Sequence, residues 1–229
     1  MANNNYLWQE FNIKTFPSET IVFRNGIFMP DLSTLQSTVI DKKYDLPIHI
    51  IYVGEIGNEC NLNIDIQIPD QDVYLTAKIT NHFPAFLNIF VKNTGKNSVF
   101  HGRVLAQNYD RLEINNHGSH EQSDTTVIIN TKIIAHSNSV SKLTGIAEIH
   151  PNRINCESDI RFMALAAPTA RIEFTPKQLI SAAPLSAEHS ASLYRGSDAQ
   201  IQYLRTAGLG TSEIKDVLEE SFMNDNIHI

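Results

Sequence analysis

The stretch Asn61–Ile68, NLNIDIQI, alternates polar and apolar residues without a break. A period of two residues is typical of a β-strand, because successive side chains of a strand point to opposite faces of its sheet. Runs of the same kind continue on both sides of it, and they are short and rich in β-branched residues. They include PIHIIYVGE (47–55), DVYLTAKIT (72–80), FLNIFVKN (86–93), SVFHGRVLAQ (98–107), TTVIINTKIIAHS (125–137), SKLTGIAEIH (141–150) and ARIEF (170–174). The sequence therefore predicts an all-β region between about residues 47 and 180.

Two architectures suit many short strands, a sandwich and a stacked solenoid. Asn, Gly, Asp and Ser separate the runs, and Ser98–Asn108 and Ser141–Asn152 share a serine, a glycine and a trailing strand. A weak internal repeat of this kind favours the solenoid, in which each coil covers its neighbour.

The two ends of this region have clear local signals. Thr20–Met29 predicts a hairpin turning at Asn25-Gly26, since Asn-Gly is the strongest short turn signal. Ser197 and Gln200 predict the capping box of a helix, which ends at a left-handed Gly208. A second helix is predicted from Thr211 or Ser212, with an apolar stripe of Ile214, Val217, Leu218 and Phe222.

Composition narrows the function classes. The 229 residues carry a formal charge of −7, which argues against a nucleic-acid partner or a polybasic membrane anchor. No apolar run approaches the length of a membrane span, and the start MANNNYLWQEFNIK has no secretory signal pattern. The expectation is a cytoplasmic protein with two reduced thiols, Cys60 and Cys156.

Two segments resemble the SufB/SufD family, the paired scaffold proteins of the Suf iron–sulfur assembly system. Ile21-Val22-Phe23, Asn25-Gly26 and Phe28 match the entry to the β-region of SufD proteins. The C-terminal segment of the family is matched by His189, Tyr203-Leu204-Arg205, Gly208, Val217-Leu218 and Phe222. The resemblance implies a mainly β fold, a right-handed parallel β-helix with a C-terminal α-helical hairpin. It divides the chain into an N-terminal segment (1–19), a β-helix core (20–195) and a C-terminal helical segment (196–229).

The resemblance also implies partners and site residues. A SufD-like protein pairs with a SufB-like scaffold, or here with a second copy of itself, and docks a SufC-like ABC ATPase without catalytic turnover of its own. The ATPase is expected at Tyr203, Leu204, Arg205, Gly208 and Phe222. His189 is the candidate for cluster assembly and for a metal ligand, so an iron–sulfur cluster would be held only transiently, at a shared interface.

Several features limit the resemblance. The cysteine that the family has two residues before the histidine is Ala187 here, and the chain is expected to lack the large N-terminal helical domain that many members carry. Neither cysteine falls where the SufB scaffold thiol is expected, which favours the SufD-like identity. These losses leave open an alternative, a degenerate member that acts only as a structural or protein-binding module.

For several single residues the sequence leaves a simpler interpretation open. His189 could be a surface or capping histidine before a helix, and the apolar helical residues could simply cap the open end of a β-helix. His117 and His120 could hold a metal together with His101 or His136 from adjacent coils, although a polar turn is the simpler interpretation. A carbohydrate-active β-helix enzyme would need paired carboxylates, and no cluster in the sequence suggests them.

Overall fold

The computed structural model describes residues 19–25, 27–35, 45, 47–56 and 60–224. Within them lie thirteen strands and two α-helices. The strands are β1 (Glu19–Arg24), β2 (Ile27–Phe28), β3 (Ile48–Ile56), β4 (Cys60–Ile68), β5 (Asp72–Asn81), β6 (Ala85–Asn93), β7 (Val99–Asn108), β8 (Arg111–His120), β9 (Thr126–Ala135), β10 (Val140–Ile149), β11 (Glu157–Ala166), β12 (Arg171–Ile180) and β13 (Ser186–Tyr194). The helices are α1 (Asp198–Thr206) and α2 (Thr211–Asn224).

From β3 onward the strands alternate between two parallel sheets. Sheet A has the order β13-β11-β9-β7-β5-β3-β1-β2, and sheet B has the order β12-β10-β8-β6-β4. Strands adjacent in sequence therefore lie in opposite sheets, and each pair from β3–β4 to β11–β12 forms one coil. The predicted mainly β solenoid with two C-terminal helices is confirmed, and the sandwich alternative is wrong.

The interior is filled by columns of apolar side chains that stack from coil to coil. In one column Ile48 pairs with Val73, Val73 with Phe100, and Phe100 with Val127. All four are fully buried. Burying each of these side chains stabilises the fold by about 1.5–3 kcal/mol, so the alternation that marks the strands in the sequence also supplies the core.

Asparagine turns the chain at the corners of the coils. Asn97, Asn138, Asn152 and Asn155 have positive φ angles of 54–65°, a backbone region that asparagine tolerates better than most side chains do. At another corner the buried Asn108 accepts a hydrogen bond from Asn81 Nδ2 at 2.9 Å. The abundance of asparagine at the strand ends therefore has a structural cause.

The two similar segments occupy equivalent but separate places. Ser98–Asn108 contains β7 of sheet A, whereas Ser141–Asn152 contains all but the first residue of β10 of sheet B, so the two do not stack on each other. The glycine at the shared position is explained by the packing of the core. A Cβ atom on Gly145 would lie 2.8 Å from Ile160 Cγ2 and 2.9 Å from Phe162 Cε2, so the neighbouring core side chains occupy its place.

The first coil is entered through the predicted hairpin. β1 pairs antiparallel with β2, with Phe23 opposite Phe28, and β1 continues sheet A in parallel with β3. Asn25 has a φ of 49°, as a tight turn requires, while Gly26 lies outside the described residues. Of the proposed terminal segments, residues 1–18 and 225–229 also lie outside them. Neither α1 nor α2 is long and apolar enough to cross a membrane.

Candidate functional site

The last strands of the two sheets form an open end of the solenoid. Among the described residues β13 is hydrogen-bonded only to β11, and β12 only to β10. Their side chains are mostly exposed or half-buried, and Leu185 in the turn between them is 72% exposed. An uncovered strand edge presents free backbone N–H and C=O groups, which makes it a template for another strand.

His189 lies in the middle of β13 and faces the interior side of this open end. Its register partner is Ile160, a core residue of β11, and partners in a parallel pair point to the same face. Both ring nitrogens are buried, and neither has a hydrogen-bond partner in the described part of the chain. Burial lowers the pKa of His189, and the charge of Asp159 opposes that shift. Burial thus favours the neutral ring, which is the form that ligates metals.

This placement differs from a histidine that caps a helix. β13 continues to Tyr194, and α1 begins at Asp198. Ala187 lies two residues before His189 and so on the same face, where it presents a methyl group in place of a thiol. Its carbonyl accepts a hydrogen bond of 3.0 Å from Gln178 Nε2, which ties the last strands of the two sheets together.

Charged groups on the outer face of the same strands were not anticipated from the sequence. Asp159 of β11 pairs in register with Glu188 of β13. Arg161 contacts both carboxylates, with 2.5 Å between Arg161 Nη2 and Asp159 Oδ2 and 3.8 Å between Arg161 Nη2 and Glu188 Oε2. Asp159 and Arg161 are two residues apart on one face of β11, but only the pairing of β11 with β13 brings Glu188 to them, so the local pattern could not have shown the three together.

The two cysteines lie in different coils, and the Cys156 thiol belongs to the core. Cys60 begins β4 in the first coil, whereas Cys156 lies just before β11 and is fully buried. The Cys156 thiol sits 3.5 Å from Thr125 Oγ1 and 3.4 Å from the carbonyl of Gln122. It behaves as a small core residue, as free cysteines usually do.

The histidines 117 and 120 do not form a joint site. They lie on opposite faces of β8: His117 points outward, 3.0 Å from Glu148 Oε2, and His120 is buried, with Nδ1 2.8 Å from Thr125 Oγ1. His101 and His136 are in or beside sheet A and stack on Tyr74 and Tyr109. In the part of the chain that is described, no three His, Cys, Asp or Glu side chains form a group able to hold a metal.

The helical pair has the predicted local signals. The Ser197 hydroxyl accepts a hydrogen bond from the Gln200 N–H at 3.2 Å, and the Gln200 side chain accepts one from the Ser197 N–H at 3.1 Å. Gly208 has a φ of 89° and separates the two helices. In the predicted apolar stripe Ile214 is buried and Leu218 and Phe222 are half-buried, but Val217 is 41% exposed, so the stripe was wrong at that position.

The C-terminus of α2 is anchored on the outer face of sheet A. Lys132 Nζ of β9 donates a 2.8 Å hydrogen bond to the carbonyl of Phe222, and Arg103 Nη2 of β7 donates a 3.3 Å bond to the carbonyl of Met223. α2 has no basic residue in its last turn, so the β-helix supplies the cations that a helix C-terminus favours. The helices therefore lie along the flank of the solenoid, and the alternative interpretation, that their apolar residues cap its open end, is wrong.

The residues predicted to dock an ATPase differ in their accessibility. Tyr203 is 72% exposed, and Arg205 and Gly208 are exposed as well. Leu204 is half-buried. The Phe222 ring turns toward the β-helix, with its centroid 5.8 Å from that of Tyr194 and 5.3 Å from Lys132 Nζ. Tyr203 and Arg205 thus remain available to a partner, while Phe222 contributes to anchoring.

Comparison with protein families gives one match that covers most of the chain. The family model described as SUF system FeS cluster assembly, SufBD core domain, matches residues 63–222. This range runs from β4 to the last turn of α2 and includes the open end, His189 and both helices. Among curated proteins, no sequence matches the chain.

Proposed function

The chain belongs to the SufBD core family of the SUF iron–sulfur cluster assembly system, and from this premise we propose that it is the SufD-like subunit of an assembly complex. Family membership supports a part in iron–sulfur cluster assembly. The finer proposal is that the chain pairs with a SufB-like scaffold, docks a SufC-like ATPase, and has no catalytic turnover of its own. A cytoplasmic location is part of the same proposal.

The observation that carries the proposal is the open end of the solenoid. A second β-helix can add its own strand edge to β12 or β13, where backbone hydrogen bonds supply affinity and side chains supply specificity. Exposed apolar residues, among them Leu179, Leu185 and Leu193, surround this edge. Such a contact would cover the interior-facing His189, so the cluster would form between two subunits.

The role proposed for His189 follows from its ring nitrogens. A buried polar atom without a hydrogen bond costs about 1–3 kcal/mol, and a neutral imidazole can recover this cost by binding iron. Because Ala187 stands on its face where the family has a cysteine, the thiolate ligands would come from the SufB-like partner. The iron–sulfur cluster would thus be held transiently at the interface between the two subunits.

The ATPase is proposed to bind the outer surface of α1 and α2 through Tyr203, Leu204 and Arg205. The Lys132 and Arg103 contacts join the end of α2 to strands β9 and β7. An ATPase movement that displaces α2 would therefore also displace β9 and β7, and with them the strand edges at which the two subunits pair.

Co-purification with SufB-like and SufC-like proteins tests the proposal under anaerobic, reducing conditions. We expect a three-protein complex from the full chain, and deletion of residues 198–222 should remove the ATPase while leaving the SufB-like protein bound. Leu193→Asp should have the opposite effect, because Leu193 is half-exposed at the open edge. Phe83→Asp is the matched control, since Phe83 is equally exposed but lies in the turn between β5 and β6.

Cluster reconstitution on the purified complex tests His189 separately. His189→Ala should leave the complex intact and lower the absorbance of the assembled cluster. A variant complex that assembles clusters at the normal rate would instead favour the alternative, a family member that serves only as a structural module.

A further inference from the structure

A cleft of about 600 Å³ lies between the helical pair and the ends of strands β9 and β11. Ile134 and Leu165 form its wall on the β-helix side, and Ile201, Ile214 and Leu218 form its wall on the helical side. A mostly apolar cleft of this size is typical of sites for small organic ligands, which range over roughly 300–1,000 Å³. It lies on the flank of the solenoid, and His189 is not among the residues that line it.

Positive charge collects around this cleft in a chain whose net charge is −7. Arg195, Arg205 and Lys215 line it and are exposed, against a single carboxylate, Glu219. Lys215 Nζ is 3.5 Å from Glu219 Oε1, and among the described residues the Arg195 side chain donates only to the carbonyl of Pro168, at 3.3 Å. The side chain of Arg205 forms no hydrogen bond or ion pair with the described residues, so its guanidinium is free to bind an anion.

A buried polar side chain also lines the cleft. His136 is only 6% exposed, its ring stacks on Tyr109 with centroids 3.8 Å apart, and its Nδ1 lies 3.6 Å from Glu219 Oε1. Its Nε2 has no hydrogen-bond partner among the described residues. An unpaired buried nitrogen is unusual in a native protein and often marks a place where a ligand or water completes the site.

From these features we infer that the cleft binds a small amphipathic anion, a molecule with an apolar body and one phosphate or carboxylate head group. The apolar body would lie between the two walls, and the head group would meet Arg205 and Lys215 at the rim. This site goes beyond the proposed assembly function: it shares Arg205 with the surface proposed for the ATPase, and His189 takes no part in it.

Isothermal titration calorimetry of the full chain with decyl phosphate tests the inference. We expect one molecule bound per chain with a Kd on the order of 100 µM, weakening as salt is added. Inorganic phosphate tests the head group alone and an uncharged decyl glucoside tests the apolar body alone, and both should bind at least about tenfold more weakly. Binding of either as tightly as decyl phosphate, or no binding of decyl phosphate up to about 1 mM, would overturn the inference.

Two charge variants locate the site. The double variant Arg205→Gln, Lys215→Gln should weaken decyl phosphate binding by about tenfold or more. The matched control, Lys142→Gln with Lys177→Gln, removes the same charge from exposed residues of sheet B and should leave the Kd unchanged. Ile201→Glu, which places a carboxylate in the apolar wall, should also abolish binding. If both double variants weaken binding equally, the effect is one of overall charge and the cleft is not the site.

Discussion

Strands β10 and β12 have the same length and lie side by side in sheet B, but their environments differ sharply. β10 is covered by β8 and β12, and half of its ten residues are buried, whereas β12 has a neighbour on one side only within the described chain and has no buried residue. The pair β11 and β13 shows the same contrast in sheet A. We call the coils from β3 to β10 closed, because each of them is followed by another coil. The last strands, β12 and β13, have no following neighbour within the described chain.

This difference separates stability from function within one repeating architecture. In the closed coils the Asn108 amide binds groups of a neighbouring coil and His120 keeps one bond through Nδ1, although its Nε2 has no partner, whereas at the open end neither nitrogen of His189 has one among the described residues. Groups left unpaired in a native structure often lie at functional sites. The open end is therefore the place where a partner subunit is expected.

The largest difference in stability between the two regions should appear when a phenylalanine side chain is removed from each. Phe100 is fully buried in a closed coil, whereas Phe174 of β12 is half-buried and packs on the core from the last coil. Phe100→Ala should lower the free energy of unfolding by about 3–5 kcal/mol, since it leaves a cavity, and Phe174→Ala by only about 1–2 kcal/mol. Urea unfolding followed by circular dichroism measures both, and equal losses would show that the last coil is as well packed as the others.

The pH dependence of stability should come from closed-coil histidines. Burial, and then the neighbouring His150, lowers the pKa of His120 to about 4, below the 6.5 of the unfolded chain. The neutral form is thus favoured on folding, so this stability is full above pH 6.5 and is lost as the pH falls toward 4. His120 alone should account for about 2 kcal/mol of lost stability at pH 5.

Urea unfolding at pH 7.5 and pH 5 checks this expectation. His120→Gln should reduce the difference between the two pH values. His189→Gln should reduce it less, because the ring at the open end is less buried, although burial lowers its pKa as well. If His189→Gln reduced the pH dependence of stability more than His120→Gln, the expectation that this dependence comes from the closed coils would be contradicted.

The smallest contrast concerns two side-chain amides. Asn108 Nδ2 donates to the carbonyl of Val140 at 3.0 Å and to Ser141 Oγ at 2.7 Å, all within the interior, whereas Gln178 makes its single bond at the exposed end. Asn108→Ala should lower the free energy of unfolding by about 1–2 kcal/mol, because it leaves buried partners unpaired. Gln178→Ala should change it by no more than about 0.5 kcal/mol. Thermal unfolding of the two variants in parallel provides the measurement, and a larger cost for Gln178→Ala would indicate that the last coil depends on this bond.

Much of the fold could be predicted because its signals are local. The alternation in Asn61–Ile68 and its relatives predicts strands, the Asn25-Gly26 pair predicts the hairpin, and Ser197 with Gln200 predicts the start of α1. Each signal depends on neighbours within a few residues. The error at Val217 has a different origin, since the face of α2 that is buried depends on where the helix docks.

The site was less predictable because its contacts join distant parts of the chain. Lys132 and Arg103 are separated by 90 and 120 residues from the carbonyl groups that they bind. Neither residue carries a motif, and both lie in ordinary strand sequences. His189 was identified only through its resemblance to the family, and the pattern of β13 did not show that its ring nitrogens would be unpaired.

The sequence by itself determined the elements of this protein: short strands of period two, asparagine-rich corners, a hairpin at the start and two capped helices at the end. Such features depend on backbone conformation and nearest neighbours, which the local sequence specifies. Only the tertiary structure decided which coil stays open, which way His189 faces, and that α2 lies on the flank of the solenoid. Those outcomes depend on strand register and on contacts between residues far apart, because a side chain's face and partners are set only once the coils have stacked.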